Sequence, residues 1–261
     1  MSLKIAKFLL IAILHHVAVE GRSREVIEPA GLPENFIIGG ETPNIELQHV
    51  ALIVSLQETP TAHGWLFTGT LITPMYVLTV AQTAHGFHRW RIGLGSNNRL
   101  LMNFHDANVA TIHPNYNPTN LHNNLAILHL VQQVPYTPVQ LPPENPGPSP
   151  VYLYYGFGTT NPNNNDALPN ILQQAQTIEL PVPECQRYFG NQLVTNASWC
   201  CAAAFNMGLC NGDQGGPLLH FHNHHLVGIA SFWMTPCNSG FPNVFVRISH
   251  YVEWIRQVTG A

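Results

Sequence analysis

Short apolar runs separated by turn residues dominate the chain. In the first half they lie at 50–56, 65–72, 76–81, 108–113 and 125–130, and in the second half at 151–155, 171–180, 217–220, 226–232 and 243–248. Gly, Pro and Asn residues lie between them, and runs of this length with such punctuation are typical of β-strands. The pattern predicts an all-β protein.

Two segments depart from the strand pattern. The stretch 135–150 is rich in proline and interrupts it. Near the C-terminus, Tyr251, Trp254, Ile255 and Val258 recur at helical spacing. Residues 250–258 are therefore predicted to form an amphipathic helix that packs on the second half of the protein.

The first residues have the layout of a secretory signal peptide, over 1–21. Lys4 and Lys7 precede an apolar run at 8–14, and small residues surround Ala18 and Gly21. The run is too short to span a bilayer. An N-terminal core helix is the alternative, but we expect a secreted, extracellular protein.

Composition excludes several classes of partner. The 261 residues are 45% apolar, which is enough for a buried core, and only 9% are charged, with a net charge of −4. That balance provides no basic footprint for nucleic acid or for an anionic membrane surface. We therefore expect neither as a partner.

The cysteines and one sequon also point to the secretory route. All five cysteines lie in the second half, which indicates disulfides in an oxidising compartment with one cysteine left over. They are Cys185, Cys200, Cys201, Cys210 and Cys237. Asn196 begins an N-glycosylation sequon, for which an unmodified loop is the alternative.

The stretch 210–217 carries a family resemblance. Its sequence, Cys-Asn-Gly-Asp-Gln-Gly-Gly-Pro, resembles the nucleophile loop Gly-Asp-Ser-Gly-Gly-Pro of the chymotrypsin-like serine proteases, with Gln214 at the serine position. In that family two backbone N–H groups stabilise the oxyanion, and here they would belong to Gly212 and Gln214. A carboxamide has no hydroxyl with which to form an acyl-enzyme.

The other two catalytic positions also match local motifs. Residues 76–83 are similar to the strand and turn that end in Thr-Ala-Ala-His-Cys, which places Gln82 at the general-base histidine. Residues 123–128 are similar to Asn-Asp-Ile-Ala-Leu-Leu, which places Asn124 at the aspartate. A competing alignment puts His85 at the base, but it needs three extra residues after a matched strand. Amides at all three positions cannot accept a proton and pass it on.

The resemblance covers about residues 37–258 and implies two six-stranded Greek-key barrels, at about 37–140 and 150–248, joined by the proline-rich stretch and followed by the helix. Residues 22–36 would be a propeptide-like segment, with Phe36 and Ile37 at the activation junction. In active members the freed isoleucine amine pairs with the aspartate at the Asp213 position. Because Phe36 is not basic, we expect the chain to stay uncut or to be cut by a chymotrypsin-like enzyme.

The resemblance also assigns the substrate pocket. The pocket-like positions are Gly208, Ser231, Phe232, Trp233 and Asn243. Trp233 replaces a glycine that leaves room for a substrate strand, so we expect it to obstruct the channel unless it turns to solvent. Gly208 at the pocket base provides no acidic group for Lys or Arg.

The family's disulfides are matched only in part. Cys210 with Cys237 corresponds to one bridge, and Cys185 with either Cys200 or Cys201 corresponds to another. A third bridge is replaced by Phe67 and Thr83, and we expect Phe67 to pack in its place.

The resemblance implies a secreted serine protease homologue that lacks catalysis and holds no bound cofactor. It would act by binding a protein, either an active serine protease or its substrate, as a cofactor, decoy or regulator of active proteases. One alternative is a residual or altered serine endopeptidase. A second is a metal- or ligand-binding module at 220–225, because His220 and His222 would share one side of a strand. No carboxylate or thiolate lies near in sequence, so a solvated polar hairpin without metal is the expected form.

Overall fold

The computed structural model describes residues 40–57, 64–143, 147, 149–160, 168–202, 208–237 and 239–260, which belong to one compact unit. The predicted signal peptide, the propeptide-like segment and the junction at Phe36 and Ile37 lie outside the described residues. Within these ranges no helix is long and apolar enough to cross a membrane.

The first half of the described chain forms a closed barrel of antiparallel strands. These are β1 (Val50–Leu56), β2 (Gly64–Thr73), β3 (Tyr76–Thr79), β4 (Arg89–Leu94), β5 (Asn103–Ile112) and β6 (Ala126–Leu130). Their spatial order is β1-β2-β3-β6-β5-β4, and β4 closes on β1 with Ile53 opposite Ile92. Apolar side chains on alternate positions, among them Ile53, Leu71 and Leu128, fill the interior.

The second half forms another curved antiparallel sheet. Its strands are β7 (Tyr152–Gly156), β8 (Gln173–Thr177), β9 (Glu179–Leu180), β10 (Ser198–Cys201), β11 (Pro217–His220), β12 (Leu226–Phe232) and β13 (Asn243–Arg247). The order is β8-β7-β11-β12-β13-β10-β9. The two edge strands, β8 and β9, are consecutive in the chain and are separated only by Ile178. The Ile178 carbonyl accepts the N–H of Ala202 at 2.9 Å. One bent segment thus curves the sheet into a barrel, and counting it once gives the predicted six strands.

Helices complete the fold. They are α1 (Ala81–Ala84), α2 (Val182–Phe189), a 3₁₀ turn (Ile248–His250) and α3 (Val252–Thr259). In α3, Val252 and Ile255 are buried in a cluster that also contains Val246 of β13, so the helix packs on the second barrel. The predicted all-β class, with two barrels and a terminal helix, is confirmed.

The predicted element bounds need correction at two places in the first barrel. The run at 76–81 ends as a strand at Thr79, because α1 begins at Ala81. The run at 108–113 is only the second half of β5, whose first half carries polar and exposed residues. Neither change alters the barrel's closure.

Candidate functional site

The stretch 210–217 is a tight loop held by a buried carboxylate. Asp213 is fully buried, and its two oxygens accept the backbone N–H groups of Gly158 and Cys210, each at 2.8 Å. A Cβ at Gly156 or Gly158 would overlap the Asp213 carboxylate. The glycines therefore provide the space that lets this carboxylate reach backbone donors from two segments.

Asp213 lacks a cationic partner among the described residues. Burial raises its pKa to about 7, although the N–H groups of Cys210 and Gly158 act in the opposite direction. Neither ion pair within the described ranges includes it. The amine that pairs with this aspartate in active family members would belong to Ile37, which lies outside those ranges.

The Gln214 side chain turns back onto its own loop. Its Oε1 accepts the backbone N–H of Gly212 at 3.0 Å. Gly212 has a φ of +102°, a backbone conformation that favours glycine. One of the two N–H groups at the oxyanion position is thus already bonded within the chain.

The other two replaced positions form a chain of amides. Asn124 is fully buried, and its Nδ2 donates to Gln82 Oε1 and to Ser231 Oγ, each at 2.9 Å. Asn124 Oδ1 faces the backbone N–H of Gln82 at 3.4 Å. Helix α1 therefore brings Gln82 to Asn124, and both groups stay neutral because carboxamides do not titrate near neutral pH.

His85 lies outside this amide chain. It is exposed at the end of α1, where its backbone N–H donates to the Ala81 carbonyl at 2.8 Å. Its ring meets the edge of Tyr116, with centroids 6.0 Å apart. The structure brings Gln82, rather than His85, into contact with Asn124.

Side chains occupy the pocket-like positions. Asn243 is 2% exposed, and its Oδ1 accepts the N–H of Leu209 at 3.2 Å beside Gly208. Trp233 is half-buried and packs against the apolar interior of the second barrel. Phe232 packs edge-on against Phe189 with centroids 5.4 Å apart. Among the described residues, the pocket-like positions therefore carry an amide and aromatic rings, and none of these positions is acidic.

Comparison with known proteins places this geometry in a family. A family profile described as Trypsin matches residues 37–255. The chain belongs to the trypsin family. Brachyurin of Leptuca pugilator is 29% identical over 201 residues, covering 74% of this chain and 87% of the relative. Chymotrypsin-2 of Vespa crabro is 30% identical over 200 residues, covering 73% and 88%.

Solved structures share the trypsin-family fold. "HL collagenase" superimposes with a TM-score of 0.74 at 22% identity, covering 87% of this chain and 97% of the other. The scabies mite inactivated protease paralogue S-D1 gives a TM-score of 0.73 at 22% identity, covering 85% and 97%. At this level of identity the likeness establishes the fold.

The structure selects the disulfide partners in this trypsin-family chain. Cys185 is bonded to Cys200, and Cys210 to Cys237. Successive residues of β10 point to opposite faces, so Cys200 joins the cluster around Cys185 while Cys201 faces the interior of the second barrel. Cys201 is a buried free thiol whose pKa is raised by burial.

Phe67 and Thr83, at the positions of the absent family bridge, make other contacts in the first barrel. Phe67 packs edge-on against Phe87, with centroids 6.4 Å apart, at the margin of the barrel's apolar cluster. The Thr83 hydroxyl lies 3.1 Å from that of Thr79. Phe67 thus packs in place of a disulfide, as expected.

The histidine run is less solvated than the sequence predicts. His220 is 6% exposed, and its Nδ1 accepts the backbone N–H of His222 at 3.3 Å. The turn that follows, 221–224, is exposed. The described residues contain no group of three or more His, Cys, Asp or Glu that could hold a metal ion. The prediction of a solvated hairpin is therefore wrong for His220, which ends β11 inside the barrel.

Proposed function

We propose that this trypsin-family chain is a secreted, non-catalytic protease homologue that acts by binding another protein. The contact of Gln214 Oε1 with the N–H of Gly212 carries the proposal. Acyl transfer needs a hydroxyl to attack and free N–H groups to bind the developing oxyanion. Here one residue removes the nucleophile and also occupies a donor.

The amide pair at Gln82 and Asn124 supports the same proposal. A general base must take the proton of the nucleophile, whereas Gln82 Oε1 is already bonded to Asn124 and has negligible basicity. Removing a catalytic triad as a unit lowers kcat by a factor on the order of 10⁶, or about 8 kcal/mol of barrier. We therefore expect no measurable turnover.

Protein binding is the use that we propose for the retained scaffold, as cofactor, decoy or regulator of an active protease. Two disulfides and the N-terminal pattern support secretion. Asn196 is exposed in the turn before β10, where a glycan can be accommodated. Affinity capture from the native fluid, followed by mass spectrometry, would identify the partner.

Hydrolysis of activated esters and peptides tests the non-catalytic role. The secreted chain is assayed uncut and after cleavage at the Phe36–Ile37 junction, with His85→Gln as the matched variant. We expect no turnover above the uncatalysed rate in any sample. Turnover that disappears in His85→Gln would contradict the proposal and favour a peptidase that uses His85 as its base.

A further inference from the structure

Backbone donors fix the orientation of both glutamine amides. The N–H of Gly212 can only donate, so the Gln214 atom that it contacts must be Oε1. The N–H of Gln82 likewise faces Asn124 Oδ1, which turns Asn124 Nδ2 toward the Gln82 side chain and makes the contacting Gln82 atom Oε1. In each glutamine the side-chain oxygen is therefore hydrogen-bonded within the protein, and the NH₂ group is left as a donor.

These NH₂ groups are available for a ligand. Among the hydrogen bonds of the described residues, neither Gln82 Nε2 nor Gln214 Nε2 has an acceptor, and the backbone N–H of Gln214 has none either. Both side chains are half-buried, so each keeps part of its surface open to solvent. Where the family has a base and a nucleophile, this chain has hydrogen-bond donors.

Both glutamines border the same end of β12. Asn124, which holds Gln82, donates to Ser231 Oγ at 2.9 Å. The carbonyl of the preceding residue, Ala230, accepts the N–H of Gly215 at 2.8 Å and so fixes the loop that carries Gln214. Consecutive residues of β12 therefore hold the two segments that carry these donors, and the pair forms the candidate site.

On the basis of the proposed non-catalytic role, we infer that this site binds the C-terminal carboxylate of a peptide. A carboxylate has only acceptor positions, which match a set of N–H groups, and bonds to an ionised acceptor are stronger than those between neutral groups. A C-terminal amide would place its own NH₂ group against these donors. The ligand is thus a free C-terminal end of a peptide chain rather than an internal segment.

Large side chains at the pocket-like positions restrict the last residue of that peptide. Asn243 is buried at one of these positions and Trp233 is half-buried at another, so we expect a small C-terminal residue such as alanine to fit best. A free carboxylate such as acetate shares the terminal chemistry but lacks the chain that would lie along the cleft. Acetate therefore serves as the comparison that separates a peptide end from a bare anion.

Calorimetric titration of the full secreted chain tests the inference, with acetyl-Ala-Ala-Ala acid, its C-terminal amide and acetate as probes. We expect the acid to bind at least about ten-fold more tightly than the amide or acetate, a difference of about 1.4 kcal/mol. The double variant Gln82→Glu/Gln214→Glu keeps both internal acceptors but removes the two side-chain donors and adds negative charge. It should lower the affinity for the acid about ten-fold or more.

The double variant Gln132→Glu/Gln133→Glu is the matched control, because these two glutamines are exposed after β6 and away from the amide chain. It adds the same charge and should leave the affinity unchanged. Equal affinity for acid and amide, no binding of the acid, or unchanged affinity in Gln82→Glu/Gln214→Glu would overturn the inference. Acetate binding as tightly as the peptide acid would also overturn it. The proposed non-catalytic function is tested by a different measurement, the hydrolysis of esters and peptides, so a failure of one proposal can be told from a failure of the other.

Discussion

The loop around Asp213 and the two glutamines, Gln82 and Gln214, differ in how tightly packing constrains them. Gly156, Gly158 and Gly216 lie so close to Asp213 or to neighbouring backbone that none has room for a side chain. Gln82 and Gln214, by contrast, are half-buried. Packing therefore constrains the loop tightly and the two glutamine side chains less tightly.

This difference shows what a retained motif means. The Gly-Asp-x-Gly-Gly-Pro pattern persists because Asp213 binds the backbone of two segments and the glycines accommodate it. Chemistry depends on the residue at 214, which contributes little to that packing. Packing therefore accounts for the retained Asp213 and glycines without any requirement on the side chain at 214.

The largest expected effect comes from a substitution in the loop. Gly156→Ala drives a methyl group into the Asp213 carboxylate, and we expect a loss of about 4 kcal/mol in the free energy of unfolding from overpacking and disturbed N–H bonds. Gln214→Ala should cost less than about 1 kcal/mol. Urea unfolding followed by tryptophan fluorescence measures both. Similar losses would remove the distinction between the two regions.

The pH dependence of Asp213 sharpens the comparison. Its folded pKa of about 7 lies above the unfolded value, so the folded state binds more protons between these pKa values and stability falls as pH rises through that window. Asp213→Asn removes this contribution. Relative to the variant, the parent should lose roughly 3 kcal/mol between about pH 4.5 and 7.

The difference between the stability–pH curves of the parent and of Asp213→Asn isolates Asp213, because the other titratable groups contribute equally to both curves and cancel. His49, whose pKa burial lowers to about 4, makes stability increase with pH over part of the same window in both proteins. Parallel curves for the parent and Asp213→Asn would contradict an unpaired Asp213. An opposite sign would indicate a cationic partner such as the Ile37 amine.

A smaller effect is expected from restoring the family aspartate. Asn124→Asp places a carboxylate in a fully buried position beside a neutral glutamine, which should cost about 2 kcal/mol at neutral pH. Adding Gln82→His provides an imidazole that can carry positive charge and should recover about 1 kcal/mol. A double-mutant cycle by chemical unfolding measures this coupling. Additive effects would show that the two positions do not act as a pair.

Most of the fold followed from the sequence, and the exceptions have identifiable causes. Strand β4 begins Arg89-Trp90-Arg91, so its apolar run is too short to stand out. Helix α2 begins beside Pro181 and contains Pro183, which resemble loop signals although proline is tolerated in a first turn. Strand β10 is short and holds Cys200 and Cys201, which the sequence indicates only as disulfide candidates.

Two features of the site required the structure. The choice of Cys200 over Cys201 depends on which face of β10 meets α2, and the sequence does not specify the register of that strand. The Gln214 contact with Gly212 depends on a side-chain rotamer and a backbone turn. The missing hydroxyl is visible in the sequence, whereas the occupied donor is not.

Intact-mass analysis after treatment with a fluorophosphonate tests the central claim most directly, because the reagent labels activated serine nucleophiles. The purified chain is tested uncut and after cleavage at the Phe36–Ile37 junction, beside active trypsin as the positive control. We predict no mass increase in either form while trypsin is labelled completely. A stoichiometric adduct on the folded chain, absent from Gln214→Ala or His85→Ala, would contradict the account.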